Sequence, residues 1–197
     1  MTSQLTKSSI SFEEYLLLPY DGRKTEFVDG QIIAMTEPST LHIVIIGWLA
    51  DQLKFHIKEE ALELDVCSGP GVQIPRVGRR DNCRDPDLIV CDRAQWRGMR
   101  HLTKSIFLKG NPPALVIEVV SPGTVKTDTV YKRAEYADAR VPEYWIVNPV
   151  DGYVSIWVLN GRIYECTGEY RADERIQSAL LPKLELSAGA ILDPWEA

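Results

Sequence analysis

The chain of 197 residues contains few cysteines, few histidines and no long apolar run. Its four cysteines form neither a Cys-x-x-Cys pair nor a Cys/His zinc spacing, so nothing in the sequence indicates a zinc site, and we expect reduced thiols. Residues 1–10 are polar, without an apolar core of signal-peptide length, and no run approaches the roughly 18 to 20 apolar residues of a membrane span. We therefore expect a cytoplasmic protein that contacts no membrane.

Basic residues are outnumbered by acidic ones, 22 to 28, and the formal net charge is -6. Such a chain as a whole is not a general binder of polyanions. The basic residues are nevertheless unevenly spread, because eight of them lie between residues 76 and 104 beside only four acids. Arg76, Arg79, Arg80 and Arg84 begin this stretch. We predict that these four bind nucleic acid, and a solvated loop surface is the alternative.

Local patterns predict a mixed α/β fold in one domain spanning residues 11–197, after a flexible tail over residues 1–10. Ser11 and Glu14 fit a capping box that opens a short helix, and Asp29-Gly30 predicts a hairpin. Apolar residues at three- and four-residue steps predict a long helix from Ser39 to about Glu60. Further strands are predicted over 62–67, 71–75, 87–91, 114–120, 143–147, 153–159 and 162–167, with a turn at 68–70, a loop over 76–86 and a helix over 127–139. Residues 93–111 are ambiguous, and the segment after Arg171 is weakly patterned.

Two acids occur in short apolar runs of this pattern. Glu118 has four apolar residues before it and two after it, and Asp87 precedes Leu88-Ile89-Val90. A carboxylate in such a run is costly to bury unless it is paired or holds a metal. If the two strands are neighbours, Asp87 and Glu118 supply two ligands of a divalent-cation site.

A carboxylate-bound cation suits phosphodiester hydrolysis, which needs an activated water and neutralisation of developing negative charge. Magnesium accepts few protein carboxylates and retains several waters, so Asp87 and Glu118 suit it, with the backbone carbonyl of Val119 as a further ligand. Lys132, on the helix after Glu118, could orient the water or stabilise charge. Manganese is the expected substitute.

These residues carry a resemblance to a known group. Pro86-Asp87 followed by Glu118 resembles the PD-(D/E)xK nuclease superfamily and, more closely, the Uma-two family of bacterial endonucleases. The matching stretches occur in family order over nearly the whole chain. They are Glu26-Phe27-Val28-Asp29-Gly30, Pro86-Asp87-Leu88, Val116-Ile117-Glu118-Val119-Val120-Ser121-Pro122, Asp128 with Lys132 and Tyr136, and Val141-Pro142-Glu143-Tyr144-Trp145-Ile146-Val147.

The resemblance implies a restriction-endonuclease-like core, with helices flanking a mixed central sheet and antiparallel hairpins. It also implies a metal-dependent nuclease site on Asp87 and Glu118, with Glu26 as a further ligand or water-orienting group. The chain departs from the superfamily at Val120, where the pattern has a lysine. The resemblance implies that Lys132 has taken over that role.

Two interpretations follow for the function. The first is a magnesium-dependent DNA endonuclease, which by analogy of fold would act as a homodimer. The second is a catalytically inactive nuclease-fold module that binds metal or nucleic acid as a dimer, which Val120 and the acidic net charge favour. A metal-dependent phosphoesterase acting on small or RNA substrates is a third. His42 and Asp128 are weaker site candidates, for which a packed helix histidine and a first-turn helix acid are the alternatives.

Overall fold

The computed structural model describes residues 9–19 and 24–196. Most of the predicted tail, residues 1–8, lies outside this part of the chain. At its end, the backbone N–H of Ile10 donates to the carbonyl of Gly30 at 3.0 Å.

Helices form where capping and apolar spacing predict them. Ser11 caps α1, and Ser11 and Glu14 complete the capping box. Ser39 caps α2, the longest helix, by accepting from the backbone N–H of His42. The helices are α1 (Phe12–Leu17), α2 (Thr40–Glu59), α3 (Arg93–Gly98), α4 (Arg133–Asp138) and α5 (Ala188–Leu192), with a 3-10 turn at Met99–His101 and a π-helical segment at Thr127–Lys132.

Eleven strands of the described chain form two mixed sheets. They are β1 (Thr25–Val28), β2 (Gln31–Ala34), β3 (Leu64–Cys67), β4 (Gly71–Ile74), β5 (Asn82–Arg84), β6 (Leu88–Asp92), β7 (Ile106–Phe107), β8 (Leu115–Val119), β9 (Glu143–Asn148), β10 (Tyr153–Asn160) and β11 (Ile163–Tyr170). The smaller sheet has the order β2-β1-β5-β4-β7 and the larger has β11-β10-β9-β8-β6-β3.

The larger sheet contains the predicted β-α-β unit. Strands β8 and β9 pair in parallel, and the π-helical segment with α4 makes the crossover between them. Successive side chains of β8 alternate between two apolar clusters. Leu115, Ile117 and Val119 pack in a cluster with α2, whereas Val116 and Val120 pack with Tyr136 of α4.

The structure corrects three details of the sequence-based prediction. The turn at residues 68–70 does not join a hairpin, because β3 pairs with β6 in the larger sheet whereas β4 pairs with β5 in the smaller. The predicted loop over residues 76–86 contains β5, whose three residues are buried between β1 and β4. The predicted helix from 127 to 139 begins with a π-helical turn, which bonds over five residues instead of four.

The weakly patterned segment after Arg171 contributes to the main core. Its isoleucines and leucines pack with α2 and the larger sheet, and six of its residues are buried there. They are Ile176, Leu181, Leu184, Leu186, Ala188 and Ile191. Among the described residues, no helix is both long enough and apolar enough to cross a bilayer.

Candidate active site

The strand register brings Asp87 and Glu118 together. Leu88 of β6 pairs with Ile117 of β8 in antiparallel register, so the positions one step further along, Asp87 and Glu118, face each other. Side chains at facing positions lie on the same side of a sheet, with Cβ atoms about 4.5–5.5 Å apart. The Asp87 carboxylate also accepts the backbone N–H of Val119 at 2.8 Å. Both carboxylates are buried.

The helical crossover places Lys132 beside Glu118. Its Nζ lies 2.9 Å from Glu118 Oε1, 3.1 Å from Asp128 Oδ1 and 3.2 Å from Glu26 Oε1. Asp128 and Lys132 both belong to the π-helical segment and are both buried, as an ion pair four residues apart. Lys132 is therefore a buried cation in contact with three carboxylates.

The smaller sheet supplies Glu26 and a second cation. Phe27 of β1 pairs with Cys83 of β5, so the preceding Glu26 faces Arg84. Arg84 donates to Glu26 Oε2 at 2.5 Å through Nη1 and to Glu135 Oε2 of α4 at 2.6 Å through Nε. Arg84 thereby joins the smaller sheet to the crossover helix and fixes one oxygen of Glu26, while the other oxygen faces Lys132.

Asp87 lies beside a histidine and a lysine. Its Oδ1 lies 3.2 Å from His42 Nε2, near the start of α2, and 3.3 Å from Lys24 Nζ. Burial alone would raise the pKa of Asp87, but His42, Lys24 and the N–H of Val119 together lower it to about 2. Asp87 is therefore ionised at neutral pH.

The surroundings of Glu118 shift its pKa in the opposite direction from that of Asp87. Burial raises its pKa to about 8 against the attraction of Lys132, and the negative charges of Asp87, Asp128 and Glu26 act in the same direction as burial. Burial opposes the charge of Lys132, but Glu118, Glu26 and Asp128 hold its pKa well above its usual value. Burial opposes ionisation of Glu26 too, but Lys132 and Arg84 lower its pKa. Tyr136 also stabilises Glu118, donating its O–H to Oε1 at 2.6 Å.

The chemistry of these donors fits a hard divalent cation such as magnesium. Carboxylate oxygens are the ligands that magnesium prefers, and it needs only one or two of them because it retains waters. Within residues 9–19 and 24–196, three buried carboxylate oxygens accept no hydrogen bond, although the first and last of them lie within 3.2 Å of Lys132 Nζ: Glu26 Oε1, Asp85 Oδ1 and Asp128 Oδ1. Over residues 9–19 and 24–196, no group of three or more histidine, cysteine, aspartate or glutamate side chains is arranged to hold a metal by itself. The facing pair Asp87 and Glu118 would supply the one or two carboxylates that magnesium needs, with water as the remaining ligands.

The four arginines predicted to bind nucleic acid have different surroundings. Arg79 is exposed, and Arg80 is exposed and donates to Ser9 Oγ at 2.7 Å. Arg76 pairs with Asp29 and donates to Asn82 Oδ1 at 3.1 Å. Arg84 is buried between two glutamates, so its guanidinium does not face solvent.

Several residues of the site were not given a role from sequence. Glu135 and Asn82 complete the Arg84 contacts, since Asn82 Nδ2 donates to Glu135 Oε1 at 2.8 Å. No sequence motif points to Lys24, and a packed helix histidine is the sequence-based alternative for His42. The spacing of Asp128, Lys132, Glu135 and Tyr136 at three- and four-residue steps places them on one helix face, and this is the signal that could have grouped them.

Facing acids on the antiparallel strands β6 and β8, with a lysine from the crossover between β8 and β9, are the arrangement of a restriction-endonuclease-like class of protein. The family model described as "Uma2: Putative restriction endonuclease" matches residues 12–189, so the chain belongs to the Uma2 (Uma-two) family. The fold is similar to the crystal structure of "a putative nuclease belonging to DUF820" from Anabaena variabilis ATCC 29413, with a TM-score of 0.73 and 19% identity. That match covers 93% of this chain and 99% of the other. No curated protein matches the chain. The predicted family and fold class are both confirmed.

Proposed function

We propose that the protein is a magnesium-dependent endonuclease that hydrolyses phosphodiester bonds of DNA. The observation that carries the proposal is the meeting of three predicted residues: Asp87 and Glu118 at facing register positions, and Lys132 at 2.9 Å from Glu118. Asp87 and Glu118 would hold the metal, together with the carbonyl of Val119. The metal would supply an activated water and neutralise charge on the phosphate.

The protein's own residues would position the reacting groups. Lys132 would orient the attacking water or stabilise negative charge as it develops, since a fixed cation in a buried site interacts strongly with such charge. Glu26, held by Arg84, would orient Lys132 or the water. His42 and the N–H of Val119 fix the Asp87 carboxylate. Because two such sites are needed to cut two strands, we extend the proposal to a homodimer.

Two features favour the alternative of an inactive module: the acidic net charge, and Val120, which stands where the superfamily has its lysine. Val120 is buried against Tyr136 and has no charge to offer. Lys132 brings an ammonium group to Glu118 from the crossover helix instead. This contact favours the nuclease over the inactive module.

The test is cleavage of supercoiled plasmid, scored as nicked and linear products with magnesium, with manganese and with a chelator. We expect cleavage with either metal and none with the chelator. Asp87→Ala should lower the rate by at least about 100-fold, because it removes a ligand of the ion that stabilises the transition state. Asp173→Ala, which changes an exposed aspartate away from the site, is the matched control and should cut like the wild type. Undiminished cleavage by Asp87→Ala would refute the assignment.

A further inference from the structure

A second cationic feature lies beyond the candidate active site. Four separate segments meet around a cleft of about 390 Å³. Each contributes one basic side chain: Arg76 before β5, Lys109 after β7, Arg140 after α4 and Arg162 in the β10–β11 turn. Residues far apart in sequence thus converge on one surface depression.

The positive charge of this cleft is only partly neutralised. Its two acids are Asp81 and Asp138, and Arg76 is paired with Asp29, which lies outside the lining. Asp81 is already engaged, since it accepts Gln73 Nε2 at 2.7 Å and the backbone N–H of Arg76 at 2.9 Å. Lys109 and Arg162 are exposed, and neither forms an ion pair with any residue of 9–19 or 24–196. The cleft therefore carries a local excess of positive charge, although the whole chain has a net charge of -6.

The crossover helix links the cleft to the active site. Lys132 lies at the start of α4, and Asp138 and Arg140 lie at its end in the cleft. At about 1.5 Å per helical residue, the six residues of α4 span about 9 Å. The cleft and the candidate active site therefore lie at opposite ends of one short helix.

We propose that this cleft binds backbone phosphates of duplex DNA. This inference rests on the proposed function, because it takes as its ligand the duplex DNA proposed there as substrate. Lys109 and Arg162 make the phosphate contacts, whereas Arg140 donates to the carbonyl of Gly161 and holds the β10–β11 turn in place. Contacts of this kind position the duplex and carry no sequence information.

The experiment measures binding of a short fluorescent duplex by anisotropy, in an Asp87→Ala background that leaves the DNA uncut. The variant is Lys109→Gln with Arg162→Gln. The control is Lys54→Gln with Lys58→Gln, which removes the same charge from exposed lysines of α2. Between about 50 and 200 mM salt, we expect the cleft variant to bind roughly tenfold more weakly. The slope of log affinity against log salt should fall by about 2, since each phosphate contact contributes about 0.9.

The outcomes separate the site from general electrostatics. An unchanged control beside a weakened cleft variant supports the proposal. Equal losses in both variants, or no loss in the cleft variant, overturn it. ATP is the probe for a small phosphate ligand: if ATP raises the melting temperature of the wild type but not of the cleft variant, while their DNA affinities agree, the duplex assignment is overturned.

The binding experiment and the plasmid assay test the two proposals separately. If the wild type cuts no plasmid but the cleft variant still loses affinity and salt slope, the cleavage proposal fails and the cleft proposal holds. If the Asp87→Ala protein and the wild type bind no duplex at all, the cleft proposal fails.

Discussion

At the scale of single residues, the candidate site depends on the pairing of buried charges. Lys132 neutralises a cluster of acids that would otherwise repel one another, and Arg84 does the same for Glu26 and Glu135. Removing one partner of a buried ion pair is expensive because the other is left desolvated and uncompensated. The site therefore contributes to stability only while its charges are balanced.

Arg84 and Arg79 provide a matched test of this view, since both lie in the basic segment. Arg84→Met leaves the buried Glu26 with Lys132 alone and removes the cation that pairs with the half-buried Glu135, and we expect it to lower the free energy of unfolding by about 3–5 kcal/mol. Arg79→Met changes an exposed side chain and should stay within about 0.5 kcal/mol of the wild type. Urea unfolding followed by circular dichroism measures both. Equal stability of the two variants would show that the Arg84 ion pairs contribute nothing.

The sequence predicted the acids of the site better than their partners. Glu118 stands out because an acid in an apolar strand is costly to bury unless it is paired or holds a metal, and the same cost applies to Asp87. Arg84 sits among other arginines, and a count of charge cannot distinguish one that faces solvent from one that faces two glutamates. Its partners, Glu26 and Glu135, lie 58 and 51 residues away in sequence, so only the register of β1 and β5 reveals them.

At the scale of elements, the crossover helix and the segment after Arg171 differ in how far sequence predicts them. Side chains of the crossover helix recur at three- and four-residue steps, so the sequence predicts its extent. The sequence does not predict the π-helical turn that brings Asp128 and Lys132 together. The segment after Arg171 is mostly irregular and has no period to detect, yet it supplies part of the main core. Its docking depends on a long-range contact with β9.

That contact is the carboxylate of Glu143. It accepts Ser178 Oγ and the backbone N–H of Leu180 at 2.7 Å each, and Trp145 Nε1 at 2.6 Å. Glu143→Ala leaves these donors without their acceptor, and we expect a loss of about 3 kcal/mol in the free energy of unfolding.

Glu165→Ala, at an exposed position of β11, is the matched control and should change stability by less than about 1 kcal/mol. Limited proteolysis should cut the Glu143→Ala protein faster after residue 171 if the segment has lost its attachment. A stability equal to that of the control would contradict a docking role for Glu143.

At the scale of the whole molecule, two sheets and one helix must be assembled before the site exists. Glu26 and Arg84 come from the smaller sheet, Asp87 and Glu118 from the larger, and Lys132 from the crossover between β8 and β9. The fold class was predicted from the order of elements, which short-range patterns reveal. The division into two sheets was not predicted, because β3 and β4 pair with different partners through long-range contacts that no local pattern encodes.

Because the proposed ligands lie on two strands that meet only when the larger sheet has formed, magnesium should stabilise the folded protein. A ligand that binds only the native state adds about 2.7 kcal/mol when its free concentration is a hundred times its dissociation constant. We therefore expect magnesium to raise the melting temperature of the wild type, and Asp87→Asn to abolish most of that rise, because the amide has no charge to offer. Asp173→Asn, at an exposed position, is the control and should respond like the wild type.

A rise in melting temperature of equal size in Asp87→Asn would place the ion elsewhere. A rise that depends on Asp87, in a wild-type protein that cuts no plasmid, would favour the metal-binding module over the nuclease.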